Sequence, residues 1–236
     1  MCNLVHVASK QLDIDNTELP CYNIAGELLL GVIMKIYDIV KCSFVDYPGK
    51  IAAVIFTRGC EPFRCRYCHN AHIIPLEGPC NTTEEKVFDF LNNRKGLLGG
   101  VVVTGGEPTA QADLVPFLRK LRALNAFSIK LDTNGYRPDV LKQVLTEKLV
   151  DYVAMDIKAP KEKYELITQV PFNERKIQAC IDLIKEANIP HQFRTTYDKR
   201  YLNDRDIEKI KKWLMDDENY VVNQCILRDA QGNAIQ

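Results

Sequence analysis

From residue 51 onward, short apolar runs rich in β-branched residues alternate with segments in which apolar residues recur at helical spacing. The apolar runs predict six strands, at residues 51–57, 101–103, 127–132, 152–157, 192–196 and 220–227. The segments between them, such as the one with Leu114, Leu118 and Leu121, predict helices. Short buried strands that alternate with helices are typical of a parallel sheet, so the pattern predicts an α/β fold.

The number of repeats limits the architecture. Six βα units in about 180 residues are too few for a closed barrel of eight units. An open, partial (βα)6 barrel and a doubly wound sheet both remain, and both place ligands at the carboxyl ends of the strands. Residues that carry chemistry are therefore expected directly after the strands.

Residues 1–33 do not join this alternation, and Met34-Lys35-Ile36 looks like a natural beginning. We interpret residues 1–33 as an extension of unknown role or the product of a misplaced start, and residues 34–236 as one domain. On this interpretation, Met34 is expected to start a fully active protein. Hydrophobic residues make up 46% of the chain, which is enough for one sizeable core.

Charge and hydropathy restrict the partners. Lys and Arg together number 31, as do Asp and Glu, so the formal net charge is zero. This balance argues against a dedicated nucleic-acid or anionic-membrane surface, although it is compatible with a local basic patch. The apolar run at residues 28–34 is far shorter than the ~20 residues of a membrane-spanning helix, and no basic segment precedes it as in a signal peptide. We therefore expect a cytoplasmic protein without a nucleic-acid or membrane partner.

Three of the nine cysteines, Cys60, Cys65 and Cys68, lie within nine residues, whereas the others are scattered and are interpreted as small buried hydrophobes. The odd count and irregular spacing argue against a disulfide framework. Three close thiolates suit zinc or iron–sulfur. A structural zinc site needs a fourth ligand, which His69 or His72 could supply. A 4Fe–4S cluster bound by three cysteines would instead keep one iron open, as a catalytic cluster requires.

Polar residues and glycines follow the predicted strands, as a ligand site in this architecture requires. They are Gly105, Gly106 and Glu107 after the second strand, Asp132 and Thr133 at the end of the third, Asp156 and Lys158 at the end of the fourth, and Arg194 in the fifth. The glycines permit close backbone approach, Glu107 could anchor an ammonium group, and Tyr67 could lie against an adenine. Taken singly, the glycine pair could be an ordinary turn and each Asp a helix cap.

At these residues the chain resembles radical S-adenosylmethionine enzymes, and in particular the activating proteins of anaerobic ribonucleoside-triphosphate reductase. The resemblance covers residues 34–196 in order and spacing. It rests on SFVDYPGK at 43–50, CHN at 68–70, TGGEPT at 104–109, LDTNG at 131–135, YVAMDIKAP at 152–160 and FRTT at 193–196. Several short motifs in order are far more specific than any one of them.

The resemblance implies a partial (βα)6 barrel that holds a 4Fe–4S cluster and S-adenosylmethionine. It implies that Cys60, Cys65 and Cys68 bind three irons and that the methionine part of the cofactor binds the fourth. It further implies that Gly105, Gly106 and Glu107 face the methionine amino group and that Asp156 and Lys158 face the ribose and carboxylate. Asp132 and Thr133 are expected beside them, with Arg194 neutralising the carboxylate.

The resemblance also implies a reaction. An external donor such as flavodoxin or ferredoxin supplies an electron, the carbon–sulfur bond breaks, and a 5′-deoxyadenosyl radical removes a hydrogen atom from a backbone glycine of a partner enzyme. Anaerobic ribonucleotide reductase is the expected partner. The alternatives are a different glycyl-radical enzyme such as pyruvate formate-lyase, radical modification of a small molecule such as a deazapurine precursor, and a structural metal-binding module without activity.

Two departures from the family pattern are present. The family usually has three residues between its first two cysteines, whereas this chain has four, at positions 61–64, and Pro62 stiffens them. After Thr196 the family tends to continue with a Pro-Gly turn, whereas this chain reads YDKR at 197–200. The second change affects the edge that would face a partner.

Overall fold

The computed structural model describes residues 34–228 and the short strand at 234–235, with side chains described up to residue 226. The strands are β1 (Ile36–Ser43), β2 (Ala52–Thr57), β3 (Gly100–Gly105), β4 (Ser128–Thr133), β5 (Tyr152–Asp156), β6 (His191–Tyr197), β7 (Tyr220–Gln224), β8 (Leu227–Arg228) and β9 (Ala234–Ile235). The α-helices are α1 (Glu84–Asn92), α2 (Leu114–Ala123), α3 (Pro138–Thr146), α4 (Tyr164–Thr168), α5 (Glu174–Glu186) and α6 (Asp204–Trp213). The predicted extension at residues 1–33 lies outside the described residues.

Strands β1 to β7 form one sheet in which the spatial order follows the chain order. Strands β2 to β7 are parallel, and each crossover between them contains at least one helix. A doubly wound sheet reverses its strand order near the middle, and this sheet does not. The partial (βα)6 barrel is therefore confirmed, and the six predicted strands correspond to β2 to β7.

Strand β1 is an addition to the predicted strands. It pairs antiparallel with β2, with Val40 opposite Val54, and irregularities interrupt the register on either side. Its first residue, Ile36, is buried and covers the edge of the parallel sheet. The last predicted strand is also shorter than expected, because β7 ends at Gln224 and Leu227–Arg228 pairs with Ala234–Ile235 in a separate two-stranded sheet.

Side-chain caps mark where several helices begin. The hydroxyl of Thr83 accepts a hydrogen bond from the Lys86 N–H at the start of α1, and the side chain of Asn173 does the same at α5. At α6, Asn203 and Asp206 form a reciprocal capping box. Such caps satisfy backbone N–H groups that have no partner within the helix.

The two faces of the sheet differ in what covers them. Successive residues of a strand point to opposite faces. Val101 and Val103 belong to the large apolar core under the helices, whereas Val102 belongs to a small cluster on the other face with Tyr47, Ala52 and Val54. The strand register then sets Lys130 beside Val102 on that second face. In the part of the chain that the structure describes, no helix has the length and apolarity to cross a membrane.

Candidate cofactor site at the carboxyl ends of the strands

The cysteine loop, residues 59–70, begins directly after β2. The Gly59 N–H donates to the Ile73 carbonyl and the Cys60 N–H donates to the Ile74 carbonyl, both at 2.9 Å. Further on, the Cys68 N–H donates to the Cys65 carbonyl at 3.0 Å. Backbone hydrogen bonds therefore fix the start of the loop and close a turn between Cys65 and Cys68.

The middle of the loop is anchored by Phe63, which is buried and packs edge-on against the rings of Tyr136 and Tyr164. The backbone also joins α4, since the Arg64 N–H donates to the Thr168 carbonyl at 2.9 Å and the Arg66 N–H donates to the Ile167 carbonyl at 3.1 Å. The longer connection between the first two cysteines is thus part of a packed loop.

Cys60, Cys65 and Cys68 are free thiols of intermediate exposure. Burial, together with the nearby carboxylate of Glu107, raises the pKa of Cys60 to about 12, against an opposing effect of Lys158. Burial also raises the pKa of Cys65, again opposed by Lys158. These thiols consequently release protons when they bind metal.

The glycine pair joins the end of β3 to the start of this loop. Gly105 has φ +120°, and a Cβ there would overlap the backbone of Thr57; a Cβ at Gly106 would overlap the carbonyl of Gly59. The Gly106 N–H donates to the Thr57 carbonyl at 2.9 Å and the Glu107 N–H to the Gly59 carbonyl at 2.6 Å. The close approach that the glycines permit is therefore between two segments of the chain itself.

The Glu107 side chain is only 1% exposed, and both carboxylate oxygens accept hydrogen bonds. Oε1 accepts from the N–H and hydroxyl of Thr109 at 3.0 and 2.5 Å and from the hydroxyl of Thr133 at 2.8 Å. Oε2 accepts from the Asn134 N–H at 2.5 Å. Burial raises the pKa of Glu107, and these donors oppose that rise. Glu107 thus connects the end of β3 to the end of β4.

Alternating charges cross the ends of β4, β5 and β6. Lys130 Nζ lies 2.5 Å from Asp132 Oδ1, and Arg194 contacts Asp132 Oδ2 at 3.3 Å and Asp156 Oδ1 at 2.9 Å. Asp156 Oδ2 in turn lies 2.9 Å from Lys158 Nζ. Three cations and two carboxylates leave one positive charge in excess in this five-residue network.

The pKa values of the network follow its pairing. Burial alone would raise the pKa of Asp156, but Arg194 and Lys158 together hold it below its ordinary value. Burial alone would lower the pKa of Lys158, but Asp156 raises it well above the ordinary value. Asp156 and Lys158 therefore both stay charged at neutral pH.

Tyr67 is buried within the helix-side core, and its hydroxyl donates to the Lys158 carbonyl at 3.2 Å. Burial raises the pKa of this phenol. The tyrosine thus links the cysteine loop to the segment after β5, and its predicted contact with an adenine stays a prediction.

Two side chains at this edge of the sheet were not predicted. Lys130 is 3% exposed and pairs with Asp132; buried lysines are rare, so a lysine inside an apolar strand was the available signal. Arg58, at the end of β2, donates to the carbonyls of His72, Glu77 and Pro79 at 2.9–3.3 Å. Its backbone partners lie 14 to 21 residues away, and no local pattern identifies them.

The residues described do not favour a single zinc ion. Among them, no group of three His, Cys, Asp or Glu side chains converges as a metal-ion site would require. His72 packs edge-on against Tyr37, and His69 lies 4.0 Å from the thiol of Cys225. Three thiols that each bind a different iron of a cluster do not need to meet at one point.

Unsatisfied donors also fit a bound cofactor. Within the described residues, the hydroxyl of Thr57 and the side-chain amide nitrogen of Asn134 are buried without a hydrogen-bond partner. They belong to the end of β2 and the segment after β4, which adjoin the glycine pair and Glu107. Together with three free thiols and an excess positive charge, they suit an iron–sulfur cluster and a ligand with polar groups and a carboxylate.

A protein-family model described as "Radical SAM superfamily" matches residues 54–214, about two thirds of the chain. A relative from Methanocaldococcus jannaschii, described as "Putative glycyl-radical enzyme activating enzyme", is 37% identical over 199 residues, which is 81% of this chain and 80% of that protein. The chain belongs to the radical SAM superfamily, among the glycyl-radical enzyme activating enzymes. Members of this superfamily use a 4Fe–4S cluster and S-adenosylmethionine.

Other similarities agree with this assignment. The pyruvate formate-lyase 1-activating enzyme of Escherichia coli strain K12 is 33% identical over 135 residues, so the chain spans about half of its length (54%). Among solved structures, SuiB of Streptococcus suis bound to its precursor peptide SuiA has a TM-score of 0.58 at 14% identity, with 73% of this chain and 38% of SuiB covered. The structure of anSMEcpe with bound AdoMet and a peptide has a TM-score of 0.53 at 19% identity, covering 73% and 51%. At these identities the structures show the fold alone.

Proposed function

We propose that this radical SAM protein binds its cluster through Cys60, Cys65 and Cys68 and cleaves S-adenosylmethionine to install a glycyl radical on a partner enzyme. One observation carries the proposal. Backbone hydrogen bonds join the three-cysteine loop to the Gly105–Glu107 segment. The carboxylate of Glu107 in turn accepts hydrogen bonds from Thr133 and Asn134. These contacts support the assignment of the thiols and the polar strand ends to one site.

The charged network supplies the recognition of the cofactor's amino acid. Its single excess positive charge complements a carboxylate. The charge of Lys158 opposes the rise in the pKa of Cys65, so Lys158 lies near a proposed cluster ligand as well as beside Asp156. Asp132 and Asp156, already aligned by Arg194, remain available to ribose hydroxyls.

Glu107 would act on the amino group mainly through the backbone. Because four internal donors already occupy its oxygens, an ammonium group would have to compete for them. The carboxylate fixes the turn after Gly105 and Gly106. The carbonyl oxygens of these two glycines are the acceptors best suited to an ammonium group.

When bound, the cluster and S-adenosylmethionine would supply the radical chemistry that removes a hydrogen atom from a glycine of the partner. The chain itself contributes positioning, fixed charge and exclusion of water. The finer proposal for the partner is anaerobic ribonucleoside-triphosphate reductase, supported by the sequence resemblance that includes SFVDYPGK at 43–50. Pyruvate formate-lyase is the second candidate, supported by the relatives named as its activating enzymes.

Anaerobic reconstitution with iron and sulfide tests the proposal. With dithionite as reductant, the protein is expected to convert S-adenosylmethionine into 5′-deoxyadenosine and methionine, and Cys60→Ala is expected to abolish this. Incubation with each candidate partner then distinguishes the targets, since the activated partner shows a glycyl-radical signal by electron paramagnetic resonance. Absence of cleavage would contradict the proposal, and cleavage without a radical on either partner would favour modification of a small molecule.

A further inference from the structure

Lys130 is a buried lysine in the middle of β4, on the face of the sheet that carries the charged network, and only 3% of its surface is exposed. In the register of the sheet its neighbours are Val102 on β3 and Tyr152 on β5, and its ammonium group lies 5.9 Å from the centre of the Tyr152 ring. Neither neighbour carries a negative charge. The ammonium group therefore needs a carboxylate to offset the water that it loses on burial.

Asp132 is that carboxylate. It lies two positions further along the same strand, so both side chains point to the same face. Its Oδ1 lies 2.5 Å from Lys130 Nζ, whereas its Oδ2 contacts Arg194 at 3.3 Å. Among the described residues, Lys130 pairs with no other carboxylate. Lys130 therefore neutralises Asp132 from within β4 itself.

The net charge of the network depends on Lys130. Without it, Arg194 would still bridge Asp132 and Asp156, and the charges of these three residues sum to minus one. Lys158, which pairs with Asp156, would bring the sum to zero. With Lys130 the network carries one excess positive charge. The charge that complements a carboxylate is thus the one that Lys130 adds.

We propose that Lys130 is a specificity-determining residue that makes the site select a cofactor with a carboxylate. This rests on the proposed function, in which the network faces the amino-acid part of S-adenosylmethionine. Lys130 acts through Asp132, because neutralising that side chain removes the repulsion that it would exert on the carboxylate of the cofactor. Contact between Lys130 and the cofactor is not required, since unit charges interact over several ångströms where the effective dielectric constant is about 20.

The test compares S-adenosylmethionine with decarboxylated S-adenosylmethionine, which lacks the carboxylate. Binding of each to the anaerobically reconstituted protein is measured by isothermal titration calorimetry, and the ratio of the two affinities is the readout. Lys130→Met removes the charge. Lys130→Gln also removes it but can donate a hydrogen bond to Asp132, so it carries the test if Lys130→Met does not fold. Thermal denaturation of the cofactor-free variants measures folding.

Two further variants separate charge from structure. Lys130→Met/Asp132→Asn removes one cation and one carboxylate, so the network regains its single excess positive charge. Lys185→Met is the matched control. Lys185, in the last turn of α5, lies 3.4 Å from the buried carboxylate of Asp217, which precedes the amino end of β7 and lies outside the network.

Both single variants of Lys130 are expected to lower the preference for S-adenosylmethionine about tenfold, as the loss of one unit charge several ångströms from a carboxylate implies. The double variant should regain the preference of the unmodified protein. Lys185→Met should stay within about twofold of it, as is usual for a distant site.

A preference that both single variants keep would overturn the inference. This includes an equal loss of affinity for the two ligands, which a purely structural role of Lys130 would give. Absence of any preference in the unmodified protein, failure of the double variant to regain the preference, or an equal loss in Lys185→Met would also overturn it. Absence of S-adenosylmethionine binding by the unmodified, reconstituted protein would instead contradict the proposed function.

Discussion

At the scale of single residues, Glu107 is an acceptor for donors that come from two different connections. Thr109 belongs to the connection after β3, and Thr133 and Asn134 come from the end of β4 and the residue that follows it. The carboxylate is buried, so each donor depends on it for a partner. The glycines before Glu107 also hold segments of the site together, because the absence of a side chain at Gly106 permits the backbone of Gly59 to approach.

Replacement of Glu107 by Gln is therefore expected to reduce stability. In either orientation the amide nitrogen would face a buried N–H donor, that of Thr109 or that of Asn134, and such a loss costs about 1–3 kcal/mol. Thermal and chemical denaturation of the protein without cofactors measures this. The control is Asp113→Asn, because Asp113 begins α2 without a side-chain cap and its change should stay within about 0.5 kcal/mol. Equal stability of the two variants would show that the hydrogen bonds of Glu107 do not hold these segments together.

The site residues that the sequence indicated are those that follow strands. Asp132, Asp156 and Arg194 could be predicted to meet because the carboxyl ends of parallel strands share one edge. The pairing of Lys130 with Asp132 was missed, although the two residues lie two positions apart in one strand and therefore point to the same face. The four internal donors to Glu107 were invisible, since two of them lie 26 and 27 residues away.

At the scale of secondary-structure elements, the βα rhythm predicted β2 to β7 because buried parallel strands are short, apolar and regularly spaced. Strand β1 was not predicted, because it is a partly exposed edge strand whose polar residues, such as Asp38 and Lys41, interrupt the apolar pattern. Its antiparallel pairing depends on contacts with β2. The conformation of residues 71–79 was not predicted either. It depends on hydrogen bonds from the buried Arg58 and on backbone hydrogen bonds, which no local pattern indicates.

Arg58→Lys is expected to loosen this segment. One ammonium group cannot reach all three carbonyl oxygens that the guanidinium contacts. Each hydrogen bond to a charged group contributes about 1.5–3 kcal/mol to stability. The amides of Gly59 and Cys60, which donate to Ile73 and Ile74, should exchange their hydrogens at least about fivefold faster. Hydrogen exchange followed by mass spectrometry measures this, with Arg94→Lys as the control at an exposed arginine. Unchanged exchange at Gly59 and Cys60 would show that Arg58 does not position the cysteine loop.

At the scale of the whole molecule, the sheet is an open barrel whose two faces have different tasks. The helix-side face contains most of the apolar core, so stability is concentrated there. The other face carries a small apolar cluster and the charged network, which we propose recognises the cofactor. The cysteine loop lies where the two meet, since Phe63 and Tyr67 belong to the core and Cys60 and Cys65 lie near Glu107 and Lys158.

Metal loading tests this arrangement. Reconstituted protein is expected to hold about four irons per chain, and Cys60→Ala, Cys65→Ala and Cys68→Ala should each lose iron and visible absorbance. Cys42→Ala and Cys225→Ala are the controls, because Cys42 is exposed on β1 and Cys225 lies outside the cysteine loop.

Loading should also depend on pH. The pKa of Cys60 is raised to about 12, so this thiol is protonated at neutral pH and must release a proton when it binds iron. Iron affinity is therefore expected to rise with pH, by about tenfold per unit for each thiol that stays protonated until it binds. Competition with an iron chelator at several pH values measures this slope. A flat pH dependence, or stoichiometric zinc that iron and sulfide do not replace, would contradict binding of the cluster by these thiols.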